Sequence, residues 1–99
     1  MKYLVEASAS IERGDAIDDK GGPGPLFAYI AQRFKPEAFY GNPTRRQAFL
    51  IVDLPTETDV AELMYVITLN IGVEPKFTPL MPPENFGKAL EKANKGPRL

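Results

Sequence analysis

The sequence predicts an α+β fold, a single antiparallel sheet with helices on one face, from three observations. Residues Arg46 to Leu54 read as a strand, Thr58 to Ile71 as an amphipathic helix and Val73 to Leu80 as a closing strand, with almost no slack between them. A shorter strand and helix precede this block, so the chain spells β-α-β-β-α-β, the split-βαβ order. The middle of the strand at 46–54 is apolar on both faces, as in a strand covered from both sides.

Each element has its local reason. Lys2 to Ser8 alternates, with Tyr3, Val5 and Ala7 on one face and Leu4, Glu6 and Ser8 on the other, a period-two strand. Ser10 to Lys20 is polar and weakly patterned and reads as a loop with one helical turn at most. Gly21-Gly22-Pro23-Gly24-Pro25 is a hard break, after which Pro25 suits the first turn of a helix. Phe27, Ile30, Ala31 and Phe34 then recur at helical spacing. Lys35-Pro36 stops that helix, because the residue before proline avoids the right-handed α region. Glu37 to Asn42 forms a second strand, and Asn42-Pro43-Thr44-Arg45 turns it into the third as a hairpin. Thr58 or Asp59 caps the next helix, whose stripe is Val60, Leu63, Met64, Ile67 and Ile71, and Gly72 ends it. Tyr65, Val66 and Leu69 make its C-terminal half apolar nearly all round, so that half should meet the C-terminal segment or another subunit. Pro75 and Pro79 confine the last strand to an edge. Glu84 to Asn94 reads as a short helix with Phe86, Ala89, Leu90 and Ala93 on one side. The expected protomer is ferredoxin-like, one domain over 1–99 with its core in 1–80 and an extension at 81–99.

At 99 residues the chain buries only roughly two-thirds of its unfolded surface. Helices on one face leave the other bare, and a second copy is the simplest cover. The net charge of −1 argues against a nucleic-acid binder, which would show a basic stripe. No apolar run approaches a membrane span and the opening residues lack a signal-peptide pattern, so the expected location is the cytoplasm. With no cysteine and no histidine, disulfides, thiol chemistry and a serine–histidine triad are excluded.

The stretches Ala48-Phe-Leu-Ile-Val-Asp-Leu, Thr58-Asp-Val-Ala-Glu-Leu-Met and Val73-Glu-Pro-Lys-Phe-Thr-Pro-Leu, followed by Pro-Pro-Glu-Asn-Phe-Gly, resemble the muconolactone-isomerase-like small bacterial proteins. These belong to the dimeric α+β barrel superfamily, and the likeness runs over about three-quarters of the chain. The resemblance implies a homodimer whose protomers pack sheet on sheet, with a cavity between sheet and helices. Characterised relatives include isomerases, cofactor-free monooxygenases and haem-handling proteins. Those relatives commonly use histidine or tryptophan in the cavity, and this chain has neither. No family catalytic residue can be transferred, and haem ligation is disfavoured.

The candidate site residues therefore come from the chain's own pattern. Glu6, mid-strand, would move a proton if its face lined a closed cavity; otherwise it is an ion-paired glutamate near an edge. Tyr40 and Tyr65, with Phe39 and Phe49, would orient a substrate, or simply fill a core. Arg45 and Arg46 at the hairpin would clamp a ligand carboxylate through the forked guanidinium, with strand-borne Arg46 the one expected to aim inward; otherwise they form a solvated turn or an intersubunit salt bridge. The glycine-rich segment lacks the ending of a phosphate-binding loop, and its prolines remove N–H donors. Asp15, Asp18 and Asp19 do not match a calcium loop. No cofactor and no metal is expected. Two functions stay open: a small-molecule-binding protein of the isomerase or cofactor-independent oxygenase type, acting on an organic acid, lactone or phenol, and a non-catalytic binding or assembly module.

Overall fold

The computed structural model describes all of Met1–Leu99. In chain order the elements are β1 (Lys2–Ser8), α1 (Ile11–Asp19), α2 (Gly24–Phe34), β2 (Ala38–Gly41), β3 (Gln47–Asp53), α3 (Glu57–Ile71), β4 (Lys76–Leu80) and α4 (Glu84–Ala93). The four strands form one antiparallel sheet in the order β2-β3-β1-β4. This α+β architecture is compatible with a ferredoxin-like fold. No helix is long and apolar enough to cross a membrane.

Register decides which side chains meet. Val5 lies opposite Leu50 on one side and Phe77 on the other, and Leu50 lies opposite Phe39. These four make a bulky row on the helix side, because cross-strand partners share a face. Val5, Leu50 and Val52 from the sheet pack against Ile30 and Phe34 of α2 and Leu63, Ile67 and Ile71 of α3. Burying such side chains stabilises by about 1.5–3 kcal/mol each. Arg33 joins the two helices, lying 2.7 Å from Glu62 and 5.0 Å above the Phe34 ring centre. The opposite face carries Leu4, Glu6, Phe49, Ile51 and Tyr40, and no helix covers it.

The structure corrects four local expectations. Residues 11–19 form a full helix instead of a loop, started by Ser10, whose side chain accepts from the Arg13 N–H. The cap of α3 is Thr56, neither Thr58 nor Asp59; Asp59 serves as the reciprocal partner in a capping box. Helix α2 does end at Phe34, but Lys35 takes the left-handed conformation (φ 49°), which avoids the pre-proline clash by another route. The last strand starts only at Lys76, after Pro75, and holds Pro79 on the sheet edge as its missing N–H requires.

Helix α4 buries none of its residues, and Phe86 and Leu90 are 64% and 61% exposed. It draws the molecule out to 57 × 28 × 24 Å with a radius of gyration of 17.0 Å, against about 13 Å for a compact chain of this length.

Candidate functional site

Between the sheet and the first three helices lies a cavity of about 230 Å³. Its cause is a second row of side chains. Gly41 pairs with Ala48, and Ala48 with Ala7. The three smallest side chains that register could bring together thus lie side by side, one row from bulky Phe39, Leu50 and Val5. The helices rest on the bulky row and span the small one. Leu26, Phe27 and Ile30 of α2 and Ile67 and Ile71 of α3 wall the space, so its lining is mainly apolar. Phe27 meets Phe39 edge to face, ring centres 5.2 Å apart, holding the wall in place.

Helix α1 closes the remaining side with Gly14, Ile17 and Asp18. Its attachment is polar. The Arg46 guanidinium donates from Nη2 to Asp15 Oδ1 at 2.7 Å and from Nε to Asp18 Oδ2 at 3.1 Å. These bonds, that to Asp18 first and that to Asp15 second, raise the Arg46 pKa above its ordinary value. A guanidinium stays charged under any ordinary condition, so the latch responds to salt and not to mild pH change. Gly14 makes room for it: a Cβ there would collide with Arg46 Cδ.

The mouth of the cavity lies at the β2–β3 hairpin. Asn42 organises this turn, its Oδ1 accepting from the Thr44 N–H and hydroxyl while its amide donates to Gln47 Oε1 at 3.0 Å. Arg45 and Arg46 stand along the rim, while Gln47, paired with Ser8, sends its side chain to the uncovered sheet face.

The four residues singled out from the sequence do not converge. Arg46 reaches the rim, though occupied by two aspartates. Glu6 lies on the uncovered sheet face in the row Tyr40–Phe49–Glu6–Lys76, with Lys76 Nζ 4.0 Å from its carboxylate. Tyr40 shares that face and is 72% exposed. Tyr65 projects from α3, 59% exposed, and lines no part of the cavity. Sequence reasoning weighed Arg45 with Arg46 but expected only Arg46 to aim inward, and it missed Gly14, the aspartate pair and the small-residue row. The i, i+3 spacing of Asp15 and Asp18 was a usable signal once 11–19 is taken as a helix; the row needs the register.

No protein-family model matches this chain, nor does any curated protein or solved structure.

Proposed function

We propose that this protein binds a small, mainly apolar organic molecule in the cavity between its sheet and helices. One observation carries the reading: about 230 Å³ of mainly apolar space opens at a rim that carries two arginines. Ligand sites are typically concave and apolar with a few polar groups that set orientation. The volume falls below the roughly 300–1,000 Å³ of drug-sized sites, so the occupant is no larger than a single ring or a short branched chain. An organic acid, lactone or phenol fits that description. Around the cavity the titratable groups are Asp18, Arg45 and Arg46, and Asp18 is committed to Arg46. Binding is therefore better supported than proton transfer there, and isomerase or oxygenase chemistry would have to draw on groups elsewhere.

The same proposal includes a homodimer of the dimeric α+β barrel kind. Three apolar surfaces of one chain have no helix over them: the outer sheet face with half-buried Leu4, Phe49 and Ile51, the exposed Tyr65 and Leu69 of α3, and the stripe of α4 with Phe86 and Leu90. A second copy covers them, since each brings the surface the other needs. In that dimer Glu6 and Tyr40 would lie at the interface.

Thermal denaturation with a panel of aromatic and alicyclic acids, lactones and phenols tests the binding reading, because a ligand specific to the native state raises its stability. At least one class should raise the melting temperature, and Ala48→Leu, which fills the small row, should abolish the rise. No rise with any class would overturn the reading. Sedimentation at two concentrations tests the dimer; a monomer throughout removes it.

A further inference from the structure

The rim carries two adjacent arginines with opposite circumstances. Arg46 has two carboxylates of its own, Asp15 at 2.7 Å and Asp18 at 3.0 Å. An anionic ligand at Arg46 would meet both, and like charges so close repel. Arg45 has no ion-pair partner and its guanidinium makes no hydrogen bond within the chain. Like Arg46, it lines both the apolar cavity and the wider, solvent-open hollow beside it, bounded by Ser8, Ile11 and Thr44. Arg45 thus stands at the threshold between dry space and water.

We propose that Arg45 recognises the carboxylate of a compact monocarboxylic acid whose apolar body enters the cavity, while Arg46 serves to bolt α1 over it. This rests on the small-molecule reading of the cavity and names its ligand class. The chemistry is one of division. A guanidinium gives a carboxylate two parallel N–H donors, and a charged head left at the mouth keeps its hydration while the body is desolvated. The same head buried deeper would face mainly Ala7, Ala48 and the apolar wall, with no partner for its charge. Arg46 cannot exchange roles with Arg45, because withdrawing it strands Asp15 and Asp18 and frees α1.

Calorimetric titration with benzoate and cyclohexanecarboxylate, against benzamide and cyclohexanecarboxamide, tests the assignment. The wild-type protein should prefer each acid to its amide by roughly 10- to 100-fold, the worth of a hydrogen bond to a charged group. R45Q should lose that preference and keep its affinity for the amides. R45K should retain part of it. R46Q should keep the preference for acids while α1 amides lose protection from hydrogen exchange. Acid preference surviving in R45Q, or vanishing in R46Q alone, overturns the assignment and leaves the cavity as a binding site. Equal binding of acids and amides to the wild type also overturns it alone. Binding of none of the four compounds, with no thermal shift from the wider panel, overturns the cavity reading and this inference with it.

Discussion

Leu50 and Ile51 are chain neighbours on β3, and they belong to two different surfaces. Leu50 points under the helices and is 2% exposed, in a row of bulky side chains. Ile51 points the other way, opposite Leu4 and Ala38, where this chain supplies no cover. At the middle of β3 both faces are apolar, so apolarity there does not separate them. What separates them is cover and the size of the row. On the helix side, bulky residues carry the load of packing while Gly41, Ala48 and Ala7 leave space beside them. On the outer side no row is roofed, so there is nothing to enclose. A cavity therefore needs small residues in register beneath a roof held up by larger ones, and greasiness alone only calls for a partner.

The sharpest test of this contrast is a pair of truncations. Leu50→Ala should cost about 2–5 kcal/mol through lost burial and the void it leaves, read from urea unfolding. Ile51→Ala should cost about 1 kcal/mol or less in dilute solution, rising with protein concentration where the outer face is covered by a second copy. Equal costs at every dilution would mean that the two faces are not different. The cap of α3, which holds the roof in place, comes next: Thr56→Ala should cost about 1 kcal/mol, with Thr56→Ser close to neutral. Gly14→Ala should act more locally. Its methyl group pushes Arg46 off Asp15 and Asp18, so hydrogen exchange in α1 should quicken while the core of α3 keeps its protection. Raised salt should have the same direction of effect on the wild type, since it screens exposed charge pairs. Smallest is Glu6→Gln. Its pairing with Lys76 at 4.0 Å involves a lysine side chain 76% exposed, and such pairs contribute about 0–1 kcal/mol. A shift in stability larger than that, or any loss of ligand binding in the cavity, would tie the outer face to the site.

The helices teach the same lesson from the side of legibility. Helix α4 displays its stripe openly in the sequence, Phe86, Ala89, Leu90 and Ala93, and its boundaries were readable to within a residue. Yet it buries nothing, because a stripe states a need for cover without naming the cover. Helix α1 shows almost no stripe, so from sequence alone residues 10–20 read as a loop with one helical turn at most. It forms on a serine cap and is held by one arginine 28 residues beyond Asp18 and 31 beyond Asp15. An ion pair across that distance in sequence leaves no local periodicity to detect. The α3 cap was displaced by two residues for a related reason: Thr56, Thr58 and Asp59 all suit a cap, and only backbone geometry chooses among them.

By itself the sequence determined the α+β class, the strands and the three amphipathic helices, the edge position of the proline-bearing strand and the absence of histidine and cysteine chemistry. All of these follow from short-range rules: alternation, helical spacing, and what proline and glycine permit. Only the tertiary structure decided that Gly41, Ala48 and Ala7 form one row, that Arg46 is spent on α1 while Arg45 is left free at the rim, and that Glu6 and Tyr40 sit on the face away from the cavity. Those outcomes depend on strand register and on contacts between residues far apart in the chain. A one-residue slip in register would exchange the two faces of the sheet without changing a single local preference.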